Sequence, residues 1–149
     1  MTRKPSPARH RGFTLIEMLV AAGVAAVLSG IAYPSFQSTV HKVRRSDALV
    51  AMMQMQAAQE RWRFSNGAYG SLAEVRMPAV TPAGHYALEV PVRNAAGYEV
   101  VATAQGGQGR DTACRVLKLT VSGLNVAQAS GPDVDVTNSA EANRRCWGL

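Results

Sequence analysis

The sequence predicts an α+β chain in which one long N-terminal helix packs on a small antiparallel sheet of three or more strands. Three observations carry this. Residues 13–33 hold only Glu17 and Ser29 as strongly polar side chains. Residues 35–65 contain neither glycine nor proline and mix apolar with charged positions at helical spacing. Three later runs, 85–92, 98–104 and 113–121, are strand-like and separated by glycine-bearing turns.

The first segment is long enough to cross a membrane. At about 1.5 Å of rise per residue, residues 13–33 extend roughly 31 Å, the thickness of a bilayer core. Pro34 then invites a kink near the outer end of the span. In the second segment Val40, Val43, Val50, Met53, Ala57 and Phe64 recur at spacings of three, four or seven. Lys42, Arg45, Gln56 and Arg63 lie between them, so these six residues are the expected inward face of an amphipathic helix. Asn66-Gly67 is its stop signal.

A loop rich in glycine, proline and alanine occupies 67–84. The first two strands are joined by Arg93-Asn94-Ala95-Ala96-Gly97, a hairpin-length connection ending in glycine. QGGQGRDT joins the second and third and reads as turn chemistry. Tyr86, Leu88 and Val90 form one inward register, and Leu117, Leu119 and Val121 another. Beyond Gly123 the chain reads as irregular.

Charge is unevenly placed. The 149 residues carry a formal charge of +6, but Arg3, Lys4, Arg9 and Arg11 precede Gly12 with no acid among them. Without those four cations the charge falls to +2, so the high isoelectric point reflects a basic leader. The basic N-terminal flank outnumbers Lys42, Arg44 and Arg45 beyond the span, which narrowly favours a cytoplasmic N-terminus. Those three could meet lipid phosphates or acids of neighbouring subunits. Cys114 and Cys146 are an even pair downstream of an export signal, as in a disulfide; two free buried thiols are the alternative.

No catalytic constellation is present in the sequence. His10, His41 and His85 are isolated, and GGQGRD lacks the Lys and Ser/Thr of a phosphate loop. With no CxxC, and only Asp133 and Asp135 as paired carboxylates, no metal or cofactor is expected. An enzyme is not indicated.

The informative anomaly is Glu17. A carboxylate in a membrane helix costs up to about 3 kcal/mol and calls for a partner. Cleavage after Gly12 would give Phe13 an α-amino group, cationic at neutral pH, four residues before Glu17. A carboxylate in the first helical turn is also favoured by the helix dipole. An ordinary secretory signal cut after Gly30-Ile31-Ala32 is the rival reading, and it leaves both Glu17 and the continuing amphipathic helix unexplained.

Gly12-Phe13-Thr14-Leu15-Ile16-Glu17, followed by a long apolar run, resembles the prepilin peptidase site of type IV pilins and pseudopilins. The resemblance implies removal of residues 1–12, methylation of Phe13, and a role for Glu17 in methylation and recruitment into the filament. It implies an assembly helix over 13–34 with Pro34 as a site of local melting, a helix over 35–65 entering the head, and a head over 66–149. QERWRFSNGAYG and the stretch from Cys114 to Cys146 before Trp147 resemble the helix end and disulfide region of PilE-type minor pilins.

The implied function is a structural minor subunit in pilus assembly or initiation. Its partners would be other pilin subunits through the N-terminal helix, the prepilin peptidase/methyltransferase and the inner-membrane assembly machinery. The implied location is the inner membrane with a periplasmic head, then the extracellular pilus. Two alternatives keep this architecture: a type II secretion pseudopilin, and a minor pilin that binds DNA. For the latter the candidate contacts are Arg110, Arg115, Lys118, Arg144 and Arg145, near Trp147.

Replacing Glu17 with valine is expected to leave membrane insertion intact while impairing methylation or filament incorporation. Mass spectrometry of the mature N-terminus and the pilin content of sheared filaments check this; unchanged incorporation would contradict it.

Overall fold

The computed structural model describes residues 12–148. The expected leader cations Arg3, Lys4, Arg9 and Arg11, together with His10, lie outside the described residues. The element order is α1 (Leu15–Asn66), β1 (Tyr86–Arg93), β2 (Gly97–Ala104), two short 3-10 turns, η1 (Gly106–Arg110) and η2 (Thr112–Cys114), then β3 (Val116–Ser122), β4 (Asn125–Gly131) and α2 (Ala140–Trp147). Two compact units divide at Gln37 and Ser38.

In the N-terminal unit, Thr14-Leu15-Ile16-Glu17 is a capping box. The Glu17 carboxylate accepts from the Thr14 N–H at 2.7 Å and the Thr14 hydroxyl at 2.8 Å. The Thr14 hydroxyl in turn accepts from the Glu17 N–H at 3.3 Å. Donors that would otherwise be orphaned at the start of α1 are thereby satisfied. Leu15, Ile16, Leu19, Val27, Leu28 and Ile31 are all exposed, and the helix is long and apolar enough to cross a membrane. Ser29 returns its hydroxyl to the Ala25 carbonyl, which hides its polarity. Pro34 lies inside α1 without ending it; lacking an N–H, it leaves the Gly30 carbonyl without the usual helical donor.

The second unit, residues 38–149, is built on a meander with strand order β1-β2-β3-β4, every pair antiparallel. The Asn94 side chain accepts from the N–H groups of Ala96 and Gly97 and shapes the β1–β2 turn. Gly97 is required there, because a Cβ would collide with the Val121 carbonyl of β3. Gly123, at φ +58°, opens the two-residue β3–β4 loop, where positive φ at the first position suits the strand twist. A register shift between Glu89 and Val92 surrounds Pro91, placed on an edge strand where its missing N–H costs no ladder bond.

The inward registers of β1 and β3 are as expected: Tyr86, Leu88, Val90, Leu117, Leu119 and Val121 are all buried. With Tyr98, Val100 and Ala102 of β2 they form one cluster with Ala48, Leu49, Ala51, Met52 and Met55 of α1. The expected helix face is therefore corrected. Val43, Val50, Met53 and Phe64 are exposed, Phe64 by 94%, and Val40 is only half-buried. Choosing the bulkiest apolar residues misplaces the stripe, because the sheet already contributes Tyr86 and Tyr98. The helix meets that bulk with alanines and flexible methionines, a large-against-small fit.

Three further expectations are corrected. The chain beyond Gly123 is not irregular, since it forms β4 and α2. The third strand begins at Val116 rather than residue 113, because Thr112–Cys114 is a 3-10 turn. QGGQGRDT is not a plain hairpin turn but holds the first 3-10 turn and the start of the second, with Gln108 buried in the first and Asp111 buried between them.

The loop after α1 is held by side chains of the helix. Gln59 is fully buried and clasps Gly70, donating to its carbonyl at 2.7 Å and accepting from its N–H at 2.9 Å. Asp47 accepts from the Thr81 hydroxyl and the Ala83 N–H at the far end. Between them Ser71–Arg76 is one closed turn. Ser71 and Glu74 form a second capping box, and the Met77 and Arg76 N–H groups bond back to the carbonyls of Leu72 and Ala73. This is a Schellman closure with arginine, at φ 56°, where glycine is favoured.

Arg76→Gly is accordingly expected to stabilise the head by about 0.5–1 kcal/mol, the relief of the left-handed backbone partly offset by glycine's unfolded-state entropy. Urea denaturation checks this; a lowered midpoint would contradict it.

Candidate functional site

The helix-breaking Gly-rich segment after β2 brings its buried polar residues against α1 and α2. Arg45 of α1 is 8% exposed, and its guanidinium grips Asp111 with both prongs, Nε at 2.6 Å and Nη2 at 2.9 Å. Its remaining nitrogen, Nη1, donates to the Arg145 carbonyl of α2 at 2.7 Å. Planar bidentate geometry of this kind is specific to arginine. The expectation that Arg45 faces lipid phosphates or a neighbouring subunit is corrected: its charge is spent inside the head.

Gln108 completes the node. Its amide nitrogen donates to Asp111 Oδ2 at 3.1 Å, the Tyr86 hydroxyl at 3.1 Å and the His41 carbonyl at 3.2 Å. Its amide oxygen lies 3.1 Å from His41 Nδ1. Burial pushes the Tyr86 phenol up to about 12, with Asp111 adding to the rise and the Gln108 amide opposing it. Among the described residues, no buried side-chain nitrogen or oxygen lacks a partner. The network is thus fully satisfied, the condition under which buried polar groups specify one arrangement.

α2 is fixed independently. Ser139 caps it by accepting from the Ala142 N–H, Glu141 sits in its first turn, and Arg144 and Arg145 occupy its last, each favoured by the helix dipole. Cys146 is joined to Cys114 of η2, with Cα atoms 5.4 Å apart and both residues buried. Closing a loop of this size contributes on the order of 3–4 kcal/mol. Asn143 donates to the Gln128 carbonyl at 2.6 Å and the Trp147 indole N–H donates to the Ala129 carbonyl at 3.2 Å, so α2 is also laced to β4.

The outcome is a pair of adjoining clefts that share Ser38, Arg45 and Arg145. The larger, about 420 Å³, adds Lys42, Arg144 and Gly148; the smaller, about 180 Å³, adds His41, Arg110 and Asp111–Ala113. Among the described residues lining them, Asp111 is the acidic side chain, and Arg45 already neutralises it. Lys42, Arg110, Arg144 and Arg145 are exposed there. Charge in such a concavity is not screened as on a flat surface, and it favours a polyanion.

Of the five sequence-derived contacts, the structure gathers Arg110, Arg144 and Arg145 at this place and excludes two. Lys118 lies on the outer face of the sheet in an ion pair with Glu99 at 3.2 Å. Arg115 is half-buried and donates to the Gly109 carbonyl. Trp147 is half-buried against the core rather than presented as a stacking platform. Lys42 was missed as a member, because nothing in the sequence connects the start of the head helix with residues a hundred positions later.

Residues 34–118 match the family described as "Type IV minor pilin ComP, DNA uptake sequence receptor". Residues 7–33 match "Prokaryotic N-terminal methylation motif". Similar proteins include "Prepilin peptidase-dependent protein D" of Escherichia coli (strain K12), 36% identical over 40% of this chain and 40% of its own length. "Type IV major pilin protein PilE1" of Neisseria gonorrhoeae is 26% identical over 57% and 53%. "Type II secretion system core protein G" of Pectobacterium carotovorum subsp. carotovorum is 29% identical over 50% and 51%. The chain spans about half the length of the curated relatives it matches. With the family match extending over more than half of the sequence, and with a long helix on a four-stranded antiparallel sheet, the chain belongs to the ComP family of type IV minor pilins.

Proposed function

We propose that this minor pilin carries a DNA-binding head into a type IV pilus. The observation that carries the reading is the convergence of Lys42, Arg110, Arg144 and Arg145 from α1, η1 and α2 on one concave surface whose lining carboxylate is already paired. Phosphate oxygens are the natural ligands of such a surface, and the family's own description names a DNA uptake sequence receptor. The chemistry of the cleft selects a phosphate backbone and does not by itself select a base sequence.

The N-terminal unit supplies delivery. In this reading the chain is cleaved between Gly12 and Phe13, the new amine is methylated, and the head is exported to the periplasm with the N-terminus in the cytoplasm; the methylation motif and the apolar helix support it. The Thr14–Glu17 box keeps the carboxylate hydrogen-bonded at the start of α1, to the residue directly after Phe13. A freed Phe13 amine, in this chain or in a neighbouring subunit, is then the charge partner for Glu17. Pro34 supplies the weak point at which the helix melts locally during assembly. Chemistry is done to this chain rather than by it.

The test is binding of a random-sequence duplex to the full chain in non-ionic detergent, followed by fluorescence anisotropy across salt. Affinity is expected to fall with salt with a logarithmic slope of about −3 to −4, from about 0.9 per phosphate neutralised. Arg144→Gln and Arg145→Gln should each reduce the slope by about one, while Lys118→Gln leaves it unchanged. Binding that is absent or independent of salt would overturn the reading.

A further inference from the structure

We propose that Arg45 and Asp111 are positioning residues for the DNA cleft and not part of its phosphate-binding charge, an inference that rests on the DNA-binding reading above. The cations of the cleft come from three elements distant in sequence: Lys42 from α1, Arg110 from η1, and Arg144 and Arg145 from α2. One side chain, carried by α1 itself, links these segments. Arg45 stands one turn after Lys42, grips Asp111 directly after Arg110, and donates to the backbone carbonyl of Arg145. Each contact thus falls on, or next to, a residue that supplies a phosphate-binding cation.

The geometry leaves Arg45 little to offer a ligand. Nε, Nη1 and Nη2 each donate to a protein acceptor at 2.6–2.9 Å, and the residue is buried. Gln108 holds Asp111 from the other side and links it to His41 and Tyr86. The disulfide, Asn143 and Trp147 hold α2 against η2 and β4, and the bond from Arg45 to the Arg145 carbonyl adds the tie that sets its last turn, with Arg144 and Arg145, against α1. Lysine cannot replace Arg45, since a point charge cannot span a carboxylate and a carbonyl in one plane.

The sign of one substitution separates this role from the alternatives. Asp111→Asn raises the positive charge of the cleft by one. If Arg45 acted through charge, released Arg45 would strengthen binding and steepen the salt slope. If the pair were merely structural, the folded fraction would bind with the slope unchanged. A positioning role predicts the opposite of the first and differs from the second. Arg144 and Arg145 lose their placement, affinity falls about tenfold or more, and the slope becomes shallower by about two, the loss of two phosphate contacts.

The experiment uses the full chain in non-ionic detergent with the random-sequence duplex, near-UV circular dichroism reporting fold for each variant. Arg45→Lys, which keeps the charge and loses the fork, is the second variant and is expected to make the slope shallower in the same way. A slope unchanged or steeper in a folded variant overturns the proposal while wild-type binding stands. A wild type without salt-dependent binding overturns the DNA reading itself. Loss of fold in both variants also overturns the proposal, because the pair would then serve the whole head and not the cleft.

Discussion

The ion pair of Arg45 and Asp111 is the constraint on which the head's functional surface depends. Two charges removed from water carry a desolvation cost of several kcal/mol each, and only full hydrogen bonding offsets it. Here the offset comes from three sources at once: the bidentate fork, the Arg145 carbonyl and the Gln108 amide. Removing one partner would strand a buried charge, at a cost of about 3–5 kcal/mol. An apolar pair of equal volume could hold α1 and the Gly-rich segment together equally well, but it could not bond the Arg145 carbonyl of α2.

Around that node the head divides its labour. The apolar cluster between α1 and the sheet supplies cohesion, with alanines and methionines of the helix set against Tyr86, Tyr98 and the aliphatic face of β3. Tyr69 closes its upper end, its ring 4.6 Å from that of Tyr98 and its hydroxyl held between Glu60 and Arg63. The disulfide and the Asn143 and Trp147 contacts fasten α2 over β4. The same contacts occupy carbonyls of an edge strand, a protection against unwanted strand pairing. Among the described residues the N-terminal unit shows no such core: its apolar residues are exposed along α1, as suits a surface completed by lipid or by other subunits.

The parts of this organisation legible in the sequence are those set by local rules. The apolar span with its single acid, the stop at Asn66-Gly67, and the alternating registers of β1 and β3 follow from periodicity and turn chemistry. β4 was not legible because Val-Ala-Gln-Ala-Ser has weak strand propensity and forms only by pairing with β3. The signals for it and for α2 existed in Ser-Gly-Leu-Asn and in the Ser139 cap before Ala-Glu-Ala-Asn. The inward stripe of α1 was misassigned because helix phase depends on the partner's shape, and nothing local shows that alanine fits better than valine there. The cleft was half legible. Arginines at 110, 144 and 145 stand out as charges, whereas the burial of Arg45 and Asp111 is a tertiary fact between residues 66 positions apart.

The most direct test of a DNA-binding cleft assembled by this node is an NMR titration of the compact unit, residues 38–149 labelled with ¹⁵N, against duplex DNA. Amide shifts are predicted to gather at residues 38–45, 110–113 and 144–148, the three segments that supply the lining of the two clefts. Shifts centred instead on Glu99 and Lys118 of the outer sheet face, or no shifts at all, would contradict the account.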